Sequence, residues 1–169
     1  MSKADIVSRF SLNKTQVEKI DSYISSLIIY NKHTNLVGKS TIKNIWDRHV
    51  LDCLQLTKHI TNKKSKILDL GTGAGLPGIL LSITGCQRVL MVDSAKKKTD
   101  FVKQIIKELS LTAKIQNKRI EKPPTSQYDI IVSRALAPFT KLLTYARMYS
   151  NKNTTSLFLK GRNANNEID

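Results

Sequence analysis

Short apolar runs alternate with longer stretches of helical spacing from residue 66 onward. The runs at 67–70, 88–93, 113–117, 128–133 and 156–160 each predict a strand. Between them, Leu76, Ile79, Leu80, Leu81 and Ile83 form one helical series, and Phe101, Val102, Ile105, Ile106 and Leu109 form another, with Ser94 placed to cap the second. A last helix is expected over 139–149. Strands that alternate with helices in this way imply an α/β protein with a parallel, doubly wound sheet. Ahead of it, residues 11–30 read as one helix, with Val17, Ile20, Ile24, Leu27 and Ile28 on a single face. A second helix is expected from Ser40 or Thr41, as cap, to about residue 58. This N-terminal helical extension, residues 1–62, is too small to stand alone, so it is expected to pack on the sheet region, residues 63–169, as one domain.

The first strand runs directly into Asp69-Leu70-Gly71-Thr72-Gly73-Ala74-Gly75-Leu76-Pro77-Gly78. Glycines at alternate positions let a loop take positive φ and let a ligand approach the backbone. Such a turn lies at the carboxyl ends of the strands, where open α/β sheets bind ligands. Gly73-x-Gly75-x-x-Gly78 also matches the dinucleotide fingerprint, which admits a nicotinamide or flavin site. Asp69 weighs against that, because a pyrophosphate arriving at this loop would meet its negative charge. A sulfonium or ammonium ligand would be attracted instead, as in S-adenosyl-L-methionine. Asp93, closing the second strand, can accept both ribose hydroxyls of either nucleotide class.

The chain has 169 residues, enough for one domain with a real core. Its charge changes the picture: 28 Lys and Arg against 13 Asp and Glu give a net charge of +15. The excess is spread over both halves, and it points to a polyanionic partner, with a lysine-rich surface set by genomic composition as the alternative. Two cysteines, Cys53 and Cys86, lack metal-ligand spacing, so neither a metal site nor a disulfide scaffold is expected. No apolar run is long enough to cross a membrane, no signal segment opens the chain, and a cytoplasmic monomer is the expectation. Lys96, Lys97 and Lys98 sit in the first turn of a helix, against its dipole, so they are not there for helix stability; they either reach phosphates or form a solvated face. His33, His49 and His59 carry no local pattern that marks them as catalytic.

Taken in order, Asn31-Lys32-x-x-Asn35-Leu36, Arg48-His49-x-Leu51-Asp52, the glycine loop, Asp93-Ser94-x-x-Lys97, Ser133-Arg134-Ala135 and Leu159-Lys160-Gly161 resemble one family. It is that of the bacterial 16S rRNA guanine-N7 methyltransferases, historically called glucose-inhibited division protein B. The resemblance implies a class I, Rossmann-like methyltransferase fold, S-adenosyl-L-methionine as methyl donor, and 16S rRNA or the small ribosomal subunit as partner. It implies a donor site from Asp69, Gly71, Gly73, Gly75, Leu76, Asp93, Ile120, Glu121 and Arg134. Arg48, His49, Lys97, Lys98, Lys160 and Arg162 become candidates for RNA contact. No catalytic base is implied, because guanine N7 carries its own in-plane lone pair; Arg134 is the one candidate for a role in the transfer. A non-catalytic RNA-binding remnant of this fold and a nicotinamide-dependent oxidoreductase are the alternatives. Tyr30 stands where the family often has Trp, and Cys53 where it often has Ser. The resemblance also implies a closing antiparallel strand pair after the fifth strand, which is expected to be missing from this sequence, ending at Asp169. An exposed sheet edge is expected as a result.

Overall fold

A computed structural model of the chain describes residues 1–122, 126–134 and 136–161. Five strands form one sheet: β1 (Lys66–Leu70), β2 (Arg88–Asp93), β3 (Lys114–Asn117), β4 (Ile130–Arg134) and β5 (Thr155–Leu159). All neighbours run parallel in the order β3-β2-β1-β4-β5, so the central β1 has β2 on one side and β4 on the other. The order reverses beside β1, which leaves a crevice above the carboxyl ends of β1, β2 and β4. Asp69 pairs with Met91 and Val132, and Asp93 with Asn117, so the chemically interesting residues converge on that end.

The pleat divides the sheet's side chains between two cores. Ile67, Val89, Met91, Ile130 and Val132 face a core built with α4 (Gly78–Ile83), α5 (Lys96–Glu108) and the N-terminal helices. Leu68, Leu70, Val92 and Ile131 face α6 (Phe139–Arg147) and a set of tyrosines, Tyr128, Tyr145 and Tyr149. The N-terminal elements share the first core without a break: Ile20, Leu27, Val50 and Leu54 are buried with Ile79, Leu80 and Phe101. Tyr30 packs at a tilt on Phe101, 4.9 Å between ring centroids.

The N-terminal region departs from the expected pair of helices. A short α1 (Lys3–Arg9), capped by a reciprocal Ser2–Asp5 box, precedes α2 (Lys14–Asn31), which starts from a similar Asn13–Gln16 box. Ser11, at φ 49°, breaks the chain between them, so the expected start at residue 11 is too early. The second expected helix is not one continuous α-helix. Residues 39–59 pass through a 3-10 stretch (Lys39–Asn44), a π-helical turn (Trp46–Val50), α3 (Leu51–Leu54) and a second 3-10 stretch (Gln55–His59). Thr41 does not cap this segment; its hydroxyl donates back to the Gly38 carbonyl at 2.6 Å. Likewise Ser94 does not cap α5. Ala95 holds that position, and its N–H donates to Asp93 Oδ1 at 2.9 Å.

The turn after α2 is closed by one buried side chain. Asn31 Oδ1 accepts from the N–H groups of Leu36 and Val37 at 2.8 and 3.0 Å, and its amide donates to the Val37 carbonyl at 3.1 Å. Removing it leaves these buried backbone groups unpaired. Asn31→Ala is expected to lower stability by about 2 kcal/mol, read as a shifted urea midpoint at unchanged slope.

Candidate functional site

The loop from Gly71 to Gly78 hangs from one carboxylate. Asp69 is fully buried at the end of β1. Its Oδ2 accepts from the Thr72 hydroxyl at 2.5 Å and from the Gly78 N–H at 2.8 Å, joining the two ends of the loop. Gly78 has no room for a side chain: a Cβ there would lie 2.4 Å from Met91 and 2.8 Å from Asp69 Oδ2. Gly73 differs, with φ +58° and open space where a Cβ would stand. Its N–H donates to Asp93 Oδ2 at 2.9 Å, which ties the loop to the end of β2. From the other side Tyr23 of α2 donates its hydroxyl to the Ala74 carbonyl at 2.9 Å.

Burial pushes the Asp69 carboxyl up from 3.8 to about 6, opposed by the Thr72 and Gly78 hydrogen bonds and by the Arg134 charge. Its Oδ1 is equally buried and accepts no hydrogen bond among the described residues. A buried, unpaired carboxylate oxygen beside a glycine loop fits a ligand that brings a cationic N–H, and repels a phosphate.

A cavity of about 170 Å³ opens beside the loop. Gly71, Asp93, Ile120 and Glu121 of the expected donor residues line it, with Lys118, Leu136, Lys141 and Tyr145. Asp69, Gly73, Gly75, Leu76 and Arg134 do not line it. Leu76 is buried, and Gly75 takes φ +90° with Ile79 packed where a Cβ would fall. Two cavity-lining residues are held by the tyrosines of α6 and the turn after it: Tyr149, just beyond the helix, donates to the Ile120 carbonyl at 2.6 Å, and Tyr145 within it donates to Glu121 at 3.1 Å. The Glu121 carboxyl is held below its usual range, chiefly by its own backbone N–H and then by Tyr145. These two tyrosines stand four apart on the last helix expected from the sequence, a spacing that puts them on one face.

Arg134 lies on the opposite face of the sheet, with Asp69 and the N-terminal helices. Its Nη1 is 2.6 Å from His49 Nδ1. His49, expected at the RNA, is buried and bonded through both ring nitrogens, so its polar atoms are engaged inside the protein. Arg48 and Lys97 are exposed and Lys98 is half-buried. Lys160 donates to the Ala137 carbonyl at 3.0 Å, beside the cavity. Arg162 lies outside the described residues, as do Ala135 and Pro123-Pro124. No cluster of three metal-ligating side chains occurs among the described residues. Cys53 is buried, with its thiol pushed up to about 12.

A family model described as rRNA small subunit methyltransferase G matches residues 16–169. A ribosomal RNA small subunit methyltransferase G from Paramagnetospirillum magneticum is 32% identical over 168 residues, covering 99% of this chain and 82% of the relative. One from Orientia tsutsugamushi is 35% identical over 159 residues, covering 94% and 79%. Among solved structures, a ribosomal protein L11 methylase from Lactobacillus delbrueckii subsp. bulgaricus superposes with a TM-score of 0.56 at 18% identity, over 66% of this chain and 58% of that one. An S-adenosylmethionine-dependent methyltransferase from Thiobacillus denitrificans, in complex with S-adenosyl-L-homocysteine, gives 0.55 at 14%, over 63% and 46%. At these identities the likeness concerns the fold.

The raised carboxyl of Asp69 sets a sign for stability. Below about pH 4 it is protonated in both folded and unfolded chains. As pH rises toward 6 only the unfolded chain ionises, so stability is lost over that interval, and the loss is complete above it. Asparagine keeps an acceptor for Thr72 and Gly78 without the charge. Asp69→Asn is therefore expected to gain stability relative to the wild type as pH rises from about 4 to about 6, and to hold that gain above. Thermal melts across this range check it.

Proposed function

The chain belongs to the rRNA small subunit methyltransferase G family, and from that premise we propose that it transfers the methyl group of S-adenosyl-L-methionine to N7 of a guanine in 16S rRNA. The observation that supports the donor is the unpaired Asp69 Oδ1 under the glycine loop. When bound, the donor supplies an electrophilic methyl on a sulfonium. Asp69 would accept from its ammonium group, Asp93 would hold the ribose with the oxygens it now shares with Gly73 and Ala95, and Ile120 would lie against the adenine. Gly73, with nothing where a Cβ would stand, leaves room for close approach to the backbone.

Guanine N7 needs no proton removed before it attacks, so this chain's task is alignment. Arg134 is assigned to the donor's carboxylate, which a guanidinium can grip with two parallel N–H groups. The net charge of +15 supports a polyanionic acceptor, and Arg48, Lys97 and Lys98 are the candidates for its phosphates. A nicotinamide cofactor is disfavoured because its pyrophosphate would face the Asp69 carboxylate. We further propose that the protein acts as a monomer in the cytoplasm, without a metal.

The test is transfer of labelled methyl from the donor to unmethylated small ribosomal subunits, followed by nucleoside analysis. Label is expected as 7-methylguanosine, and Arg134→Ala is expected to weaken donor binding at least ~10-fold. Donor binding without label would favour the non-catalytic RNA-binding remnant. Label on another atom would overturn the N7 assignment.

A further inference from the structure

Arg134, His49 and Thr41 are joined in one continuous hydrogen-bonded chain. The guanidinium Nη1 lies 2.6 Å from His49 Nδ1, His49 Nε2 lies 2.7 Å from Thr41 Oγ1, and Thr41 Oγ1 lies 2.6 Å from the Gly38 carbonyl. The protons in this chain can be placed from either end. A guanidinium has only donors, so Nδ1 must accept. A carbonyl only accepts, so the Thr41 hydroxyl proton goes to Gly38 and Thr41 Oγ1 is left to accept from the ring. Both ends therefore require the same neutral imidazole, with its proton on Nε2.

We infer that His49 is a positioning residue for Arg134, held in the Nε2–H tautomer by the Thr41 hydroxyl. The inference rests on the role proposed above for Arg134. Its physical sense lies in the choice of acceptor. A carboxylate beside Arg134 would orient the guanidinium but neutralise it, whereas a neutral imidazole orients it and leaves its charge intact for an anionic ligand. Protonation of the ring would put an N–H against the guanidinium and break the contact. The surroundings oppose that state: His49 is buried, Arg134 approaches from β4, and Arg48 lies beside it on the same turn. Burial first, then these two cations, hold its pKa down at about 4. Asp52, the nearby acid, is shared with the same two arginines, and its carboxyl is raised by its own burial. The π-helical turn Trp46–Val50 carries both Arg48 and His49, and Thr41 sits in the 3-10 stretch before it, so the broken helix has a use: it brings Thr41 and His49 to one another.

The test uses the whole chain, with Thr41→Val to remove the hydroxyl at constant shape and Thr41→Ser to keep it. Thr41→Val is expected to weaken donor binding about tenfold, Thr41→Ser to restore it, and Thr41→Val to add nothing when Arg134 is already alanine. A full additional effect of Thr41→Val in the Arg134→Ala background would overturn the inference. In parallel, nitrogen-15 side-chain spectra report the ring directly. The expected spectrum has a bare His49 Nδ1 and a protonated Nε2, unchanged between pH 5 and 8, with the Nε2–H signal altered in Thr41→Val and retained in Thr41→Ser. A ring protonated on Nδ1, or titrating near the usual histidine value, would overturn the inference. A wild type that shows this spectrum but binds no donor would overturn the functional reading alone, so the two failures are told apart.

Discussion

One buried carboxylate holds the site together. Asp69 Oδ2 takes hydrogen bonds from Thr72 and Gly78, so the beginning and the end of the glycine loop are fixed to the same atom at the end of β1. That requirement explains the residue at 78, where Met91 and the carboxylate itself leave no space for a Cβ. The other oxygen is equally buried and accepts no hydrogen bond among the described residues; on the proposed reading it is the one that meets the donor's ammonium group. A group with both oxygens satisfied would stabilise the loop better.

The rest of the molecule is arranged around that loop from two sides. From α2, Tyr23 reaches the Ala74 carbonyl, and the same helix contributes Ile20 and Leu27 to the core beneath α4 and α5. The N-terminal extension is thus part of the site's scaffold. From the other side, Tyr145 of α6 and Tyr149 just beyond it fix the residues after β3, which line the cavity next to Asp93 and Gly71. Arg134 stands apart from that cavity, on the Asp69 side of the sheet; on the proposed reading the cavity takes the nucleoside and the Asp69 side takes the donor's charged end.

The sequence alone revealed the strands closely, because short buried runs bounded by turns have few other readings. The glycine loop and its two carboxylates were legible for the same reason: strand, loop and helix are contiguous in the chain. The region between residues 39 and 59 was not. Its apolar positions suggested one continuous helix, and nothing local marks the change of winding at Trp46–Val50. His49 shows why. Its partner Arg134 lies 85 residues away, and its other partner, Thr41, looked like a helix cap. Residues whose role is set by a distant partner carry no periodic signal, so Tyr23 and His49 read as ordinary helical positions until the fold brings their partners to them.

The most direct test of this account is the ionisation of Asp69, followed by carboxyl carbon NMR with and without S-adenosyl-L-methionine. The account predicts a pKa of about 6 in the free protein, from burial, and a clear fall when the donor's ammonium group reaches Oδ1. A carboxyl that titrates at its ordinary value, or one that does not respond to the bound donor, would contradict it.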